Sequence, residues 1–162
     1  MILCRPNCPG IFMPDPAHSI IVAPGGVKVC PVLTRPGAHG REILAFVHPT
    51  AGHQIVKGTL EEGEALEPAA LRELAEESGI DSARIMAKIA EIEVPDYCQF
   101  WHVYECETDA DLAEKWSFFA QEDEGKWFHF FWIPLAQLPT KDWIDQFQPV
   151  ISALQDWFAA KD

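Results

Sequence analysis

Three glutamates, Glu73, Glu76 and Glu77, stand three and four residues apart in a stretch that reads as helix. At that spacing their side chains share one face and reach toward a common point, where like charges repel. A solvated acidic face tolerates such repulsion at roughly a few tenths of a kcal/mol per pair, and for an arbitrary glutamate-rich helix that is the ordinary reading. The surroundings point elsewhere. Gly58 and Gly63 precede the helix and give a backbone loop that a ligand can approach closely. Hard carboxylate oxygens beside such a loop suit Mg²⁺ or Mn²⁺ bound to phosphate.

The overall charge agrees. Twelve lysines and arginines stand against 25 aspartates and glutamates, a formal net charge of -13. That field repels polyanions at encounter distances, so duplex nucleic acid is not an expected partner. A small phosphorylated substrate meets the same field and needs a cation between the two negative surfaces, for which divalent metal is the natural choice.

Gly58, then five residues, Glu64, then seven residues, Arg72-Glu73-Leu74, one residue, Glu76-Glu77, one residue, Gly79-Ile80: this run of 23 residues resembles the Nudix box at every defining position. The resemblance implies an α/β fold, a Nudix-type α/β/α sandwich with a mixed central β-sheet. It also implies metal-dependent hydrolysis of the diphosphate linkage of a nucleoside diphosphate joined to another moiety, either ADP-ribose-like or a dinucleoside polyphosphate. By the same resemblance Glu73, Glu76 and Glu77 are the Mg²⁺ (or Mn²⁺) ligands, and the main-chain carbonyl of Lys57 is a further one. Glu64 and Arg72 match a pair that keeps loop and helix in register, the guanidinium bridging carboxylates. One departure stands out: the position two before the box glycine, often proline in this family, is Val56. Two other readings of the fold are a prenyl diphosphate isomerase, which binds the diphosphate without cutting it, and a nucleotide-sensing binding module. The box is uninterrupted and keeps its carboxylates, which favours hydrolysis. Dimers are common among relatives, so a homodimer is an expectation by analogy alone.

Hydrolysis needs charge neutralised on the diphosphate oxygens and a water held in line and deprotonated. The base is expected to be Glu73 or an acid of a later loop, where Glu122, Asp123 and Glu124 end at Gly125. Lys57 and Gly58 are expected at the phosphates. A nucleobase calls for aromatic stacking, and Tyr97, Phe100, Trp101, Trp116, Phe118, Phe119, Trp127 and Phe128 follow the box. At strand spacing most of these belong to the core, and Tyr97 is favoured because Pro95-Asp96 makes a loop there. Pro95, fifteen residues after Ile80, resembles a proline of ADP-ribose-type Nudix pyrophosphatases; Tyr97, seventeen after, resembles a tyrosine of dinucleoside polyphosphate hydrolases. His48, His53, His102 and His129 lack ligand spacing and are left outside the site.

The elements that must position these groups follow from pattern. Leu66 to Ser78 reads as helix, with Pro68 in its first turn and Gly79 to stop it. His18 to Ala23, Val27 to Thr34, Glu42 to Val47, Ile85 to Val94, Gln99 to Glu105 and Lys126 to Ile133 read as strands. The acidic connection 107–125, read as helix in part and mobile loop in part, has no assigned conformation. Residues 141–160 carry Trp143, Phe147, Val150, Ile151, Leu154 and Phe158 at helical spacing, a C-terminal helix with one apolar face. Residues 1–17, rich in proline, read as an irregular arm, and the whole chain, 1–162, reads as one domain. Five cysteines without CxxC spacing suggest free thiols. With no signal-like or membrane-spanning apolar run, the cytoplasm is the expected location.

Overall fold

The structure, a computed structural model, describes residues 26–122 and 124–161. The expected arm and the His18 to Ala23 strand lie outside them. Eight strands form one mixed sheet: β1 Val27–Gly37, β2 Gly40–His48, β3 Gly52–Gln54, β4 Gly58–Thr59, β5 Arg84–Val94, β6 Gln99–Glu107, β7 Lys115–Ala120 and β8 Lys126–Pro134. Their order is β5-β6-β1-β2-β8-β7, with β3 beside β2 and β4 beside β1. The β1 and β6 pair is parallel, and the other ladders are antiparallel.

Helix α1, Leu66–Ser78, occupies the range its periodicity predicts. Gly79 ends it at φ 79° with its N–H donated to the Ala75 carbonyl, a left-handed stop that glycine takes without the Cβ penalty. Ala69, Ala70 and Leu74 face one side of the sheet and pack with Val29, Leu44, Phe46 and Phe130. Helix α2, Gln148–Ala159, covers part of the other side, with Val150, Ile151, Leu154 and Phe158 on Cys30, Ile43 and Trp101. Strands β1, β2 and β6 therefore bury residues on two different cores, one under each helix, which is the α/β/α sandwich.

The sheet is split at one end. β1 meets β2 only from Thr34–Gly37, beside the Gly37 and Gly40 turn. Toward its start, Lys28 and Val29 instead pair with Thr59 and Gly58. The loop carrying Gly58 thus enters between the two halves of the sheet, and α1 begins a few residues later.

Three features depart from the pattern reading. The connection 107–125 contains an edge strand, β7, paired along its length with β8. The C-terminal helix is shorter than 141–160: Asp145–Phe147 is a 3₁₀ turn, and Trp143 makes a parallel bridge to His53. Pro149 explains the late start, because its ring has no N–H and clashes with a helical carbonyl four residues earlier. Trp143 and Phe147 still reach the core. Finally, Cys98 is disulfide-bonded, against the expectation of free thiols, whereas Cys30 and Cys106 are free and buried.

Candidate metal centre

Glu73 sits on the buried face of α1, 4% exposed. Its carboxylate lies against the backbone of Gly58: a Cβ placed on that glycine would stand 1.7 Å from the Glu73 carboxyl carbon. Gly58 is required here by close approach, since its backbone φ is not left-handed. The box glycine and the box glutamate are thus two halves of one contact, made possible by the β1 and β4 pairing that fixes Gly58 opposite Val29.

Arg72 holds the loop to the helix. Its Nε and Nη2 donate to the two Glu64 oxygens at 2.7 and 2.9 Å, a bidentate pair. Nη1 donates to Glu73 at 2.8 Å and to Glu76 at 3.0 Å, and Nη2 also donates to the Thr59 carbonyl at 3.1 Å. The guanidinium beside it keeps the Glu64 carboxyl below the usual carboxylate range. Arg72 itself is held above the usual arginine range, first by Glu64. One planar donor fork touches the loop twice and the helix twice.

Glu73 and Glu76 do not stand alone. With Glu122, in the turn between β7 and β8, they bring carboxylate oxygens within 4.8 Å of one another. Burial raises the Glu73 carboxyl, and Arg72 opposes that rise. Glu122 is raised by desolvation and then by the Glu76 charge. Of the three loop acids proposed from sequence, the fold brings Glu122 to the helix; Glu124 lies beyond it in the turn at φ 70°, and Asp123 is outside the described residues. Glu122 lies 46 residues after Glu76 in the chain, and the β7–β8 hairpin, packed on α1 through Trp116 and Phe118, closes that gap.

Glu77 is outside this trio. It is on the side of α1 toward Cys30 and Lys57, where its charge acts on both. The Lys57 ammonium lies over the Trp101 ring, 4.3 Å from its centroid, and 5.5 Å from that of Phe147. Desolvation lowers its pKa. Gly58 faces α1, and the side chain of Lys57 before it lies on the opposite core. Tyr97 is exposed in the Pro95–Tyr97 turn between β5 and β6. Of the other aromatic positions, Trp101 is buried, whereas Phe119 and Trp127 are exposed.

Three carboxylates converging from a helix and a hairpin, with one guanidinium at their edge, make a hard oxygen donor set with excess negative charge. Such a set fits a divalent cation. A family profile described as NUDIX domain matches residues 26–154. No curated protein sequence matches the chain significantly. Among solved structures, a Nudix hydrolase from M. smegmatis, RenU, superposes with a TM-score of 0.62 at 14% identity, covering 84% of this chain and 87% of its own. The NUDIX domain of Shewanella oneidensis NrtR, solved with ADP ribose, gives 0.59 at 18% identity over 82% and 88%. A C. elegans Ap4A hydrolase gives 0.59 at 18% identity over 85% and 98%.

Proposed function

The chain belongs to the Nudix family, and we propose that it hydrolyses the diphosphate linkage of a nucleoside diphosphate joined to a second moiety, using Mg²⁺ or Mn²⁺. The observation that carries this reading is the convergence of Glu73, Glu76 and Glu122 within 4.8 Å. These three form the core of the oxygen set that would hold the metal; Glu77, which stands outside the trio in this structure, and the main-chain carbonyl of Lys57 are its further proposed ligands. When bound, the metal neutralises diphosphate charge and lowers the pKa of coordinated water.

The residues supply the rest. Gly58 lets the loop lie against Glu73 without a side chain between them, so the donor set is packed into place before substrate arrives. Arg72 holds Glu73 and Glu76 on the site side and Glu64 on the loop side. A carboxylate of the set, Glu73 on the helix or Glu122 in the hairpin, takes the proton of the attacking water. Lys57 and Tyr97 belong to the substrate surface in this reading, Lys57 moving off Trp101 to meet phosphate.

ADP-ribose-like compounds and dinucleoside polyphosphates are the substrate classes of first choice. The NrtR domain was solved with ADP ribose and the C. elegans protein is an Ap4A hydrolase, and both share this fold. The test is a panel of ADP-ribose, NADH, dinucleoside polyphosphates, nucleotide sugars and nucleoside triphosphates, incubated with Mg²⁺ in ¹⁸O-water. Hydrolysis of one class, with label entering one phosphate, is expected. Tight binding of a panel member without turnover would replace the enzyme by a binding module.

A further inference from the structure

Helix α2 covers only one half of its sheet face; over the other half, β2, β8 and β7 floor an open groove of about 650 Å³. The ladder places one residue of each strand in a single row across it: His53 on β3, Val47 on β2, His129 on β8 and Ser117 on β7. Ser117 Oγ and His129 Nδ1 are 2.7 Å apart. The row on one side holds Phe131 and Lys115.

On the other side, two residues or about 7 Å nearer the hairpin turn, Phe119 pairs with Trp127. Their ring centroids are 5.4 Å apart, and the side chains are 43% and 55% exposed. The next pair, Ala120 with Lys126, closes the hairpin whose turn holds Glu122 of the carboxylate trio.

Exposed aromatic rings on a sheet face cost hydrophobic free energy unless something covers them. Two features say what does. The first is continuity: the aromatic pair begins one residue pair from the turn that supplies Glu122, so whatever occupies it is tied to the diphosphate site. The second is charge. Among the described residues, none of those lining the groove is acidic, although the chain carries 25 acids against 12 bases; Lys115 and two histidines line it instead. A flat base whose phosphates lie back at the turn matches both: its ring covers the aromatic pair, its polar edge meets no acid in the groove, and the groove volume lies in the range of small-molecule sites.

We infer that the nucleoside of the substrate lies over this end of the hairpin, its base stacked on Trp127 and Phe119, which border the groove without lining it, and its polar edge reaching into the groove to meet Ser117 and His129. The ligand turns the end of the β7–β8 hairpin, with its diphosphate at Glu122 and its nucleoside on the face opposite α1. The inference rests on the hydrolytic reading for the position of the diphosphate, but it is testable by binding alone.

The test is titration of the full chain with ADP, followed by the indole N–H signals in NMR, with the Trp127 signal assigned by its loss in Trp127→Phe. ADP is expected to shift that signal. Trp127→Ala should weaken ADP binding roughly ten- to hundredfold, as loss of one base-stacking ring does, and leave pyrophosphate binding in Mg²⁺ within about twofold. An unmoved Trp127 signal, or an unchanged ADP affinity in Trp127→Ala, overturns the inference. So does a dimer that Trp127→Ala dissociates without loss of ADP affinity, since a second copy would then be the occupant. If the panel shows no hydrolysis while ADP still moves Trp127, the hydrolytic reading fails and the groove stands. If hydrolysis proceeds and Trp127→Ala leaves KM unchanged, the groove fails and the hydrolytic reading stands.

Discussion

Gly58 and Glu73 occupy one another's space: the Glu73 carboxyl carbon stands where a side chain on Gly58 would have to begin, 1.7 Å from the Cβ position. Alanine at 58 must therefore push the carboxylate out of a site where it is almost fully buried and held by Arg72. Gly58→Ala is expected to cost about 1–3 kcal/mol of stability, the usual scale of overpacking, and to lower activity by tenfold or more. Chemical denaturation and rate measurements at saturating Mg²⁺ check both. Wild-type stability and rate together would mean that the contact is slack.

Arg72 donates to four groups at once, three of them carboxylates. Arg72→Ala leaves Glu64, Glu73 and Glu76 facing one another without it, and the melting midpoint should fall by several degrees. Arg72→Lys should recover little, because an ammonium cannot reproduce the bidentate fork to Glu64. Full recovery by lysine would reduce the role of Arg72 to charge alone.

The loop acids can be separated. Glu122→Gln should cut turnover by on the order of a hundredfold, the scale expected when a metal ligand or general base is lost, while Glu124→Gln stays near wild type. Steady-state rates at several Mg²⁺ concentrations decide this. Equal rates for the two variants would remove the hairpin from the chemistry.

Cys30 and Cys106 give a pH prediction. Burial pushes both thiols up from 9.0 to about 12, so neither is a thiolate at neutral pH. In the unfolded chain they ionise near the ordinary value, so their contribution to stability is intact below about pH 9. It is lost as pH climbs toward about 12, because only the unfolded chain gains by releasing the proton. Alkylation at pH 8 should therefore leave both cysteines unmodified until the protein is denatured, as read by peptide mass mapping. Modification in the native protein at the rate of a free thiol would contradict their burial.

Helix α1 was fully legible in the sequence because its signals are local: Pro68 in the first turn, apolar contacts at helical spacing, Gly79 at the stop. Strand β7 was not. Six residues long and set among acids, Lys115–Ala120 carries aromatic residues on both faces, and Phe119 on the open face blurs the alternation that marks a strand. The partner of the box glutamates was legible only as one of three neighbouring acids. Its place beside Glu73 and Glu76 is a long-range contact that no local pattern encodes. Lys57 is a different case. A lysine next to a loop glycine reads as a phosphate contact, yet the pairing of Gly58 with Val29 turns it toward Trp101.

The central claim is that the helix and hairpin carboxylates gather one divalent cation, and it can be tested without any substrate. Mn²⁺ titration followed by electron paramagnetic resonance should show a bound ion in the wild-type protein. Its affinity should be weakened tenfold or more in Glu76→Gln and again in Glu122→Gln, each loss being one charged ligand of the set. Equal Mn²⁺ affinity in all three proteins would contradict the account, because the trio would then be an acidic surface and nothing more.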